Sequence, residues 1–331
     1  MRAVVIAEPG RFGVTRVPDP TPAAGEIVVA PRAAGVCGTD LHIIDGEFPP
    51  APFPLVPGHE FAGEVVALGA GVTGIRTGDR VAVDPSLFCG TCVYCRRQRG
   101  NLCQRWGAIG DTVDGAFAEY VAVPAGNAHP VPDSLGWAAA ALVEPLSCVV
   151  HGLRRLAMAP GSELLIVGAG TIGLLLAQAA RRSGAARIAV VDTDPGRREL
   201  AASLGADTVA GSVDALLAER DIGFEYAIEA TGVPAAAQAA LTGLARGGTL
   251  LVFGVSPADA SVRLSPFQVY NDELTILGSM AVLHTFEPAI TLMTSGAIAA
   301  DRMVTDTFAL DDFPDAVRAV RARTGLKVQV A

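Results

Sequence analysis

This 331-residue chain reads as an α/β protein: a doubly wound parallel sheet preceded by an irregular, β-rich domain. Three observations predict this. From about residue 149, apolar runs (LLIVGAG, RIAVVD, YAIEATG, GTLLVFG, ELTILGS) alternate with Ala- and Leu-rich helical stretches. Such alternation builds a parallel sheet covered by helices on both faces, so its strands are continuously apolar. Secondly, Gly168-Ala169-Gly170-Thr171-Ile172-Gly173 directly follows the strand LLIV and opens a helix. Thirdly, the residues before about 135 carry only short apolar runs (EIVVAPRAAGV, FAGEVVALG, DRVAVDP) broken by Gly, Pro and Asp. Most of the 22 prolines lie in this first half, where they favour turns and short strands.

At roughly 150 residues per domain, the length predicts two domains. The boundaries fall at 1–148 for the β-rich domain and 149–283 for the parallel sheet. After residue 284 the rhythm stops: TFEPAITLMTSG and LDDFPDAVRAVRAR read as helices and LKVQV as a last strand, and this tail is expected to return to the first domain.

Half of the residues are hydrophobic and 18% are charged, enough for large buried cores. A net charge of −9 excludes nucleic acid as an expected partner, because phosphate neutralisation needs clustered Lys and Arg. The start, MRAVVIAEPG, has neither the apolar run nor the cleavage site of an export signal. A reducing, cytoplasmic setting is therefore expected for the six cysteines. The uncharged window 164–180 is at the short limit for a bilayer span, and its glycines are better explained by a dinucleotide turn, so no membrane association is expected.

Four cysteines lie in CGTCVYCRRQRGNLC: Cys89, Cys92, Cys95 and Cys103, spaced C-x2-C-x2-C-x7-C. Four thiolates this close can surround one tetrahedral Zn²⁺ and leave no open position, which predicts structural zinc on a lobe spanning about 86–105. So compact a cluster is poor geometry for two unstrained disulfides.

A lone G-x-G-x-x-G is a weak signal. Here the strand before, the helix after and Asp192, nineteen positions beyond Gly173 at the end of the next strand, complete a Rossmann fingerprint. Gly168, Gly170 and Gly173 permit the tight turn, and the helix start at Thr171 and Ile172 meets the pyrophosphate. Asp192 would accept from the ribose hydroxyls and repel a 2′-phosphate, favouring NAD. Arg197 and Arg198 keep NADP open.

Cys37 in GVCGTDLH, His59-Glu60 in PGHE and Glu144 in LVEPLSC are further metal candidates. A thiolate, an imidazole and carboxylates suit a zinc that keeps one position open.

Together GVCGTDLH, PGHEFAGEVVALGAGV, GDRVAV, the four-cysteine lobe, EPLSC, GAGTIG and EATG make the chain resemble the zinc-dependent medium-chain alcohol dehydrogenases over essentially its whole length. The resemblance implies a GroES-like catalytic domain, a Rossmann domain and an active site in the cleft between them. It implies two zinc ions per chain, with Cys37 and His59 as ligands of the catalytic one. Glu60 is a ligand in some members and a supporting group in others. Glu144 stands where simple-alcohol enzymes carry a cysteine ligand, as in the sorbitol, polyol and threonine dehydrogenase branch, and either ligates zinc or holds its water. Cys148, four residues on, reads as a small core residue.

Thr39 and His42 match the family's proton relay, through the ribose hydroxyl of the cofactor, and a histidine titrates in the range this needs. Thr231, Met280 and Val282 are implied near the cofactor and Lys327 near its phosphate. The remaining histidines, His129, His151 and His284, read as structural.

The expected reaction is reversible oxidation of a secondary alcohol, a polyol or sugar alcohol, with hydride transfer to NAD. A threonine 3-dehydrogenase-like or cyclitol or aminocyclitol activity of the same branch is the alternative, and a cofactor-binding relative without catalysis is the reading from another class. A homo-oligomer, tetramer or dimer, is expected from the family, with the edge near GSMAVL as a pairing strand.

Overall fold

The longest strand, Glu26–Val36, organises the first half of the protein in this computed structural model, which describes residues 1–331. It pairs antiparallel with Glu60–Leu68, with Val121–Pro124 and with the last strand, Lys327–Val330. Outward from these lie Arg80–Val83 and Ala128–Pro130 on one side and Val304–Phe308 on the other, completing a seven-stranded sheet. The tail therefore supplies two strands to the first sheet.

Contact density separates two units: residues 1–147 with 282–331, and residues 148–281. The divisions come one and two residues earlier than the sequence texture suggests. The first unit has its own core, in which Val4, Ile6, Ile27, Val29, Phe61 and Phe117 are all buried. Phe117 and Phe313 meet with ring centroids 4.8 Å apart, which ties the C-terminal helix Phe313–Ala322 to the sheet. Burying one such side chain contributes about 2–3 kcal/mol.

The second unit is a six-stranded sheet, parallel throughout. Its order is Thr208–Ala210, Arg187–Val191, Glu163–Val167, Phe224–Glu229, Leu244–Val252, Thr275–Gly278. Numbered in chain order that is 3-2-1-4-5-6, the doubly wound arrangement whose direction reverses beside the first strand, where dinucleotides bind. The helix Thr171–Arg182, packed on strands Glu163–Val167 and Arg187–Val191, is buried continuously from Gly173 to Ala180. The apolar window 164–180 thus divides into a strand, a glycine turn and part of a twelve-residue helix. No helix of the protein is long and apolar enough to cross a membrane.

Candidate active site and metal centres

Three strand ends meet in the first unit. Strand Glu26–Val36 runs into Cys37, Glu60 begins its neighbour, and Lys327 begins the last strand. Register fixes the meeting: Gly35 faces Glu60 on one side and Gln329 on the other, while Val328 faces Val36. The ligand atoms of Cys37, His59 and Glu60 consequently all lie within 4.8 Å of one another. Glycine is required at 35 for packing reasons, since a Cβ there would stand 2.2 Å from Glu60 Oε2.

Each of these three residues has a buried partner. Asp40, in the first turn of helix Gly38–Asp45, accepts from the Cys37 backbone N–H at 2.7 Å. His59 Nδ1 lies 3.0 Å from Asp111 and 3.7 Å from Asp40. Lys327 Nζ donates to Glu60 Oε2 at 2.5 Å and to the Val36 carbonyl at 3.3 Å. Lys327 is 5% exposed. Pairing of the last strand with Glu26–Val36 carries its ammonium to Glu60.

Electrostatics follow from this crowding. Burial pushes the Asp40 carboxyl up to about 6, against the pull of His59. Burial lowers His59, but Asp111 and Asp40 outweigh it and the imidazole is held well above its ordinary value. For Glu60, burial is overcome by Lys327 and His59, so its carboxyl stays below the usual range; Lys327 is raised reciprocally, with Glu60 the largest favourable influence. A thiol and three carboxyls around one imidazole and one ammonium make a buried set with excess negative charge. Such a set is what a cation satisfies, and sulfur, nitrogen and oxygen donors together fit zinc.

Glu144 opens helix Val143–Leu156, is 7% exposed, and favours the charged form of Lys327. It lies outside the tight Cys37, His59, Glu60 group. Cys148 sits one turn further along that helix, partly buried, and also outside the group. Thr39 Oγ1 is 3.9 Å from Cys37 Sγ. His42 stands at i+3 on the same helix, hence on the same face, partly exposed, with Nδ1 2.8 Å from Glu47.

In the cysteine lobe, Cys92 Sγ lies 3.5 Å from Cys95 and 3.9 Å from Cys103, and Cys89 lies 4.0 Å from Cys95. Four sulfurs each ~2.3 Å from one ion would sit about 3.8 Å apart. Backbone N–H groups of Cys92 and Arg105 already point at Cys89 and Cys103, as thiolates require. Burial, with the sulfurs of Cys92 and Cys103, pushes the Cys95 thiol up to about 12, while hydrogen bonds from Thr91 draw Cys89 down to about 5. A coordinated cation deprotonates such thiols outright. All six cysteines are free of disulfides.

In the second unit the glycine turn is built as its motif predicts. Gly168 has φ +109°, and a Cβ there would meet the Thr231 methyl at 2.6 Å; a Cβ on Gly173 would stand 1.8 Å from the Gly168 carbonyl oxygen. Gly170 precedes the helix with no side-chain cap, so the helix start at Thr171 and Ile172 brings its positive dipole end to the glycine turn. Asp192 accepts from Ala169 N at 2.7 Å and Asp194 N at 2.9 Å, which fixes its carboxylate against the turn. Arg197 comes within 4 Å of where a Gly170 Cβ would be, while Arg198 is spent on the Asp192 and Thr193 carbonyls. Thr231 is held by Glu229, a buried carboxylate that accepts from the Thr231 N–H and O–H at 2.5 Å and from Gly232 N at 2.8 Å. Met280 is 39% exposed just after strand Thr275–Gly278, and Val282 is buried in the first unit.

Asp40, Asp111, Gly35 and Glu229 escaped the sequence reading. Asp40 has a signal in an acid three residues after an N-cap position, and Glu229 has one as the first residue of EATG.

A fold with a dinucleotide turn in one unit and a buried thiolate–imidazole–carboxylate group in the other defines a metal-dependent nicotinamide oxidoreductase. Family models agree: residues 23–133 match the alcohol dehydrogenase GroES-like domain and residues 171–295 match zinc-binding dehydrogenase. D-arabinitol dehydrogenase 1 of Uromyces fabae is 36% identical over 100% of this chain and 97% of its own length. L-threonine 3-dehydrogenase of Rhizobium johnstonii is 31% identical over 99% and 97%. The NADP-bound structure of a zinc-binding dehydrogenase from Sinorhizobium meliloti 1021 superposes with a TM-score of 0.94 at 35% identity, covering 99% and 98% of the two chains. The protein belongs to the zinc-dependent medium-chain alcohol dehydrogenase family, in the branch of the sorbitol, polyol and threonine dehydrogenases, and it is an oxidoreductase.

Proposed function

We propose that the enzyme oxidises a secondary hydroxyl of a polyol or sugar alcohol to a ketone, reversibly, with NAD as hydride acceptor and two zinc ions per chain. The observation that carries this reading is the Cys37, His59, Glu60 group beside the Thr39 hydroxyl, on a chain with a complete dinucleotide turn. Cys37, His59 and Glu60 would hold the catalytic ion, with Glu144 reserved for water or substrate. Zinc held there supplies Lewis acidity, making a substrate hydroxyl acidic enough to ionise near neutral pH. The Thr39 hydroxyl would accept the substrate's proton while passing on its own, and His42 takes up the relayed proton and carries it towards solvent beside Glu47. The glycine turn and Asp192 bind the dinucleotide, and fixing the reactants in place supplies much of the rate. Rates of NADH formation with arabinitol, sorbitol, xylitol, butanediol and threonine test the substrate class. The reading requires a polyol to be preferred; preference for threonine moves the enzyme to the amino-acid side of its branch.

NAD is favoured over NADP because the anchored Asp192 carboxylate sits at the end of the second strand. Asp192→Ala is expected to raise KM for NAD at least about tenfold, the loss of one hydrogen bond to a charged group of ~1.5 kcal/mol, and to narrow the gap to NADP. An unchanged ratio of kcat/KM for the two cofactors would remove Asp192 from the role.

A two-fold pair is proposed through the edge strand Thr275–Gly278, which has a neighbour on one side only. Around it Phe267, Tyr270 and Ile276 are 72%, 82% and 41% exposed, an apolar stretch that water does not favour. Ile276→Lys should shift the particle mass in light scattering towards the monomer; a monomeric native protein contradicts the pairing.

A further inference from the structure

We infer that Asp111 is a positioning residue for the catalytic metal: it takes the outer nitrogen of His59, leaving Asp40 to hold Cys37. This rests on the proposal that Cys37, His59 and Glu60 bind zinc. Asp40 spends one oxygen on the Cys37 N–H at 2.7 Å, and its other oxygen is 3.7 Å from His59 Nδ1, beyond hydrogen-bonding distance. Asp111 Oδ1 is at 3.0 Å. His59 Nδ1 and Asp111 Oδ1 are both buried, and neither has a hydrogen-bond partner elsewhere. Each of the three ligands then has one dedicated buried partner: Asp40 for Cys37, Asp111 for His59, Lys327 for Glu60.

The loop carrying Asp111 is built to press against His59. Gly58 has φ +104°, and a Cβ there would meet the Phe117 backbone N at 2.9 Å. A Cβ on Gly110 or on Gly115 would stand 2.4 Å from the Gly58 carbonyl oxygen. Gly115 N, Ala116 N and Phe117 N donate to the carbonyls of Val56, Gly58 and Pro57, locking the two segments together. Three glycines thus permit a backbone contact that delivers a side chain 52 positions away to the imidazole. A carboxylate on the outer nitrogen fixes the tautomer and orientation of a metal-binding histidine and strengthens it as a ligand; losing such a partner typically costs about 10–100-fold in metal affinity.

The test uses purified zinc-loaded enzyme and a colorimetric chelator, following zinc release over time. Native protein should release zinc in two phases, one per ion. Asp111→Ala should accelerate one phase at least about tenfold and leave the other unchanged. Asp111→Asn, which keeps an acceptor oxygen and the side-chain volume, should lie between, and guards against an alanine variant that fails to fold. Replacing the faster-releasing ion with Co²⁺ should shift the ligand-field absorption in both variants, a change that a remote packing defect would not produce. Two ions in the native protein with unaltered release and spectra in both variants would overturn the role of Asp111 alone. One ion in the native protein would overturn the metal-site reading beneath it.

Discussion

His59→Ala should lower the kcat/KM for alcohol oxidation at least about 10³-fold, equivalent to about 4 kcal/mol of lost transition-state stabilisation. Zinc per chain should fall from two to one. The magnitude follows from the arrangement. Removing the imidazole deletes one of three closely grouped donors and leaves Asp111 and Asp40 facing a gap they cannot fill. The remaining thiolate and Glu60 are only two donors, too few to hold the ion in a fixed geometry. Substrate would then meet a hydroxyl and a relay but no Lewis acid. Elemental analysis alongside initial rates checks this. Undiminished turnover with one zinc would mean that the Cys37 group is structural and that the chemistry lies elsewhere. A circular-dichroism spectrum like that of the native protein should accompany the loss, because the core around Phe61 and Phe117 does not depend on His59.

The legible parts of this protein are those encoded over short spans. The glycine turn reads from six residues because a tight turn needs its glycines at fixed offsets; the Gly173 contact with Gly168 shows why. The cysteine lobe reads from fifteen residues for the same reason. Alternating apolar strands and helices announce the parallel sheet, since its central strands Glu163–Val167 and Arg187–Val191 are buried on both faces. The catalytic group is harder. Cys37 and His59 are separated by 22 positions, and only resemblance to a family joins them. Their partners were invisible: Lys327 reaches Glu60 across 267 positions by strand register, and Asp111 reaches His59 through a glycine-mediated backbone contact. No spacing rule predicts either pairing, because both depend on which strands become neighbours. Resemblance places Lys327 near a cofactor phosphate, and only the sheet shows that it is also the counter-ion of Glu60.

Cys92→Ser carries the second large effect, and on a different property. Between Ser86 and Ala108 regular structure is limited to a two-residue strand pair and two short helical turns. Phe88, Val93, Tyr94 and Leu102 are 48%, 46%, 39% and 41% exposed, so the lobe has little apolar burial to hold it. Its order must come from the sulfur cluster, where Cys92 touches both Cys95 and Cys103. Structural zinc contributes about 10–16 kcal/mol of apparent binding energy, and that energy is folding energy for the segment that supplies the ligands. Losing one thiolate should release the ion and leave residues 86–108 without a fixed conformation. Arg96, Arg97 and Arg99 lie in that segment and are exposed, so limited trypsin digestion should nick the variant there at least about tenfold faster than the native protein. The melting temperature should fall by several degrees. By contrast, kcat measured on the freshly prepared, folded fraction should change by less than about threefold, because no sulfur of the lobe belongs to the Cys37 group. The two zinc variants therefore separate along opposite axes: His59→Ala loses chemistry and keeps protease resistance, and Cys92→Ser does the reverse. Should Cys92→Ser retain two zinc ions and the native digestion pattern, the lobe would have to be held by packing alone, which its exposed apolar side chains do not supply.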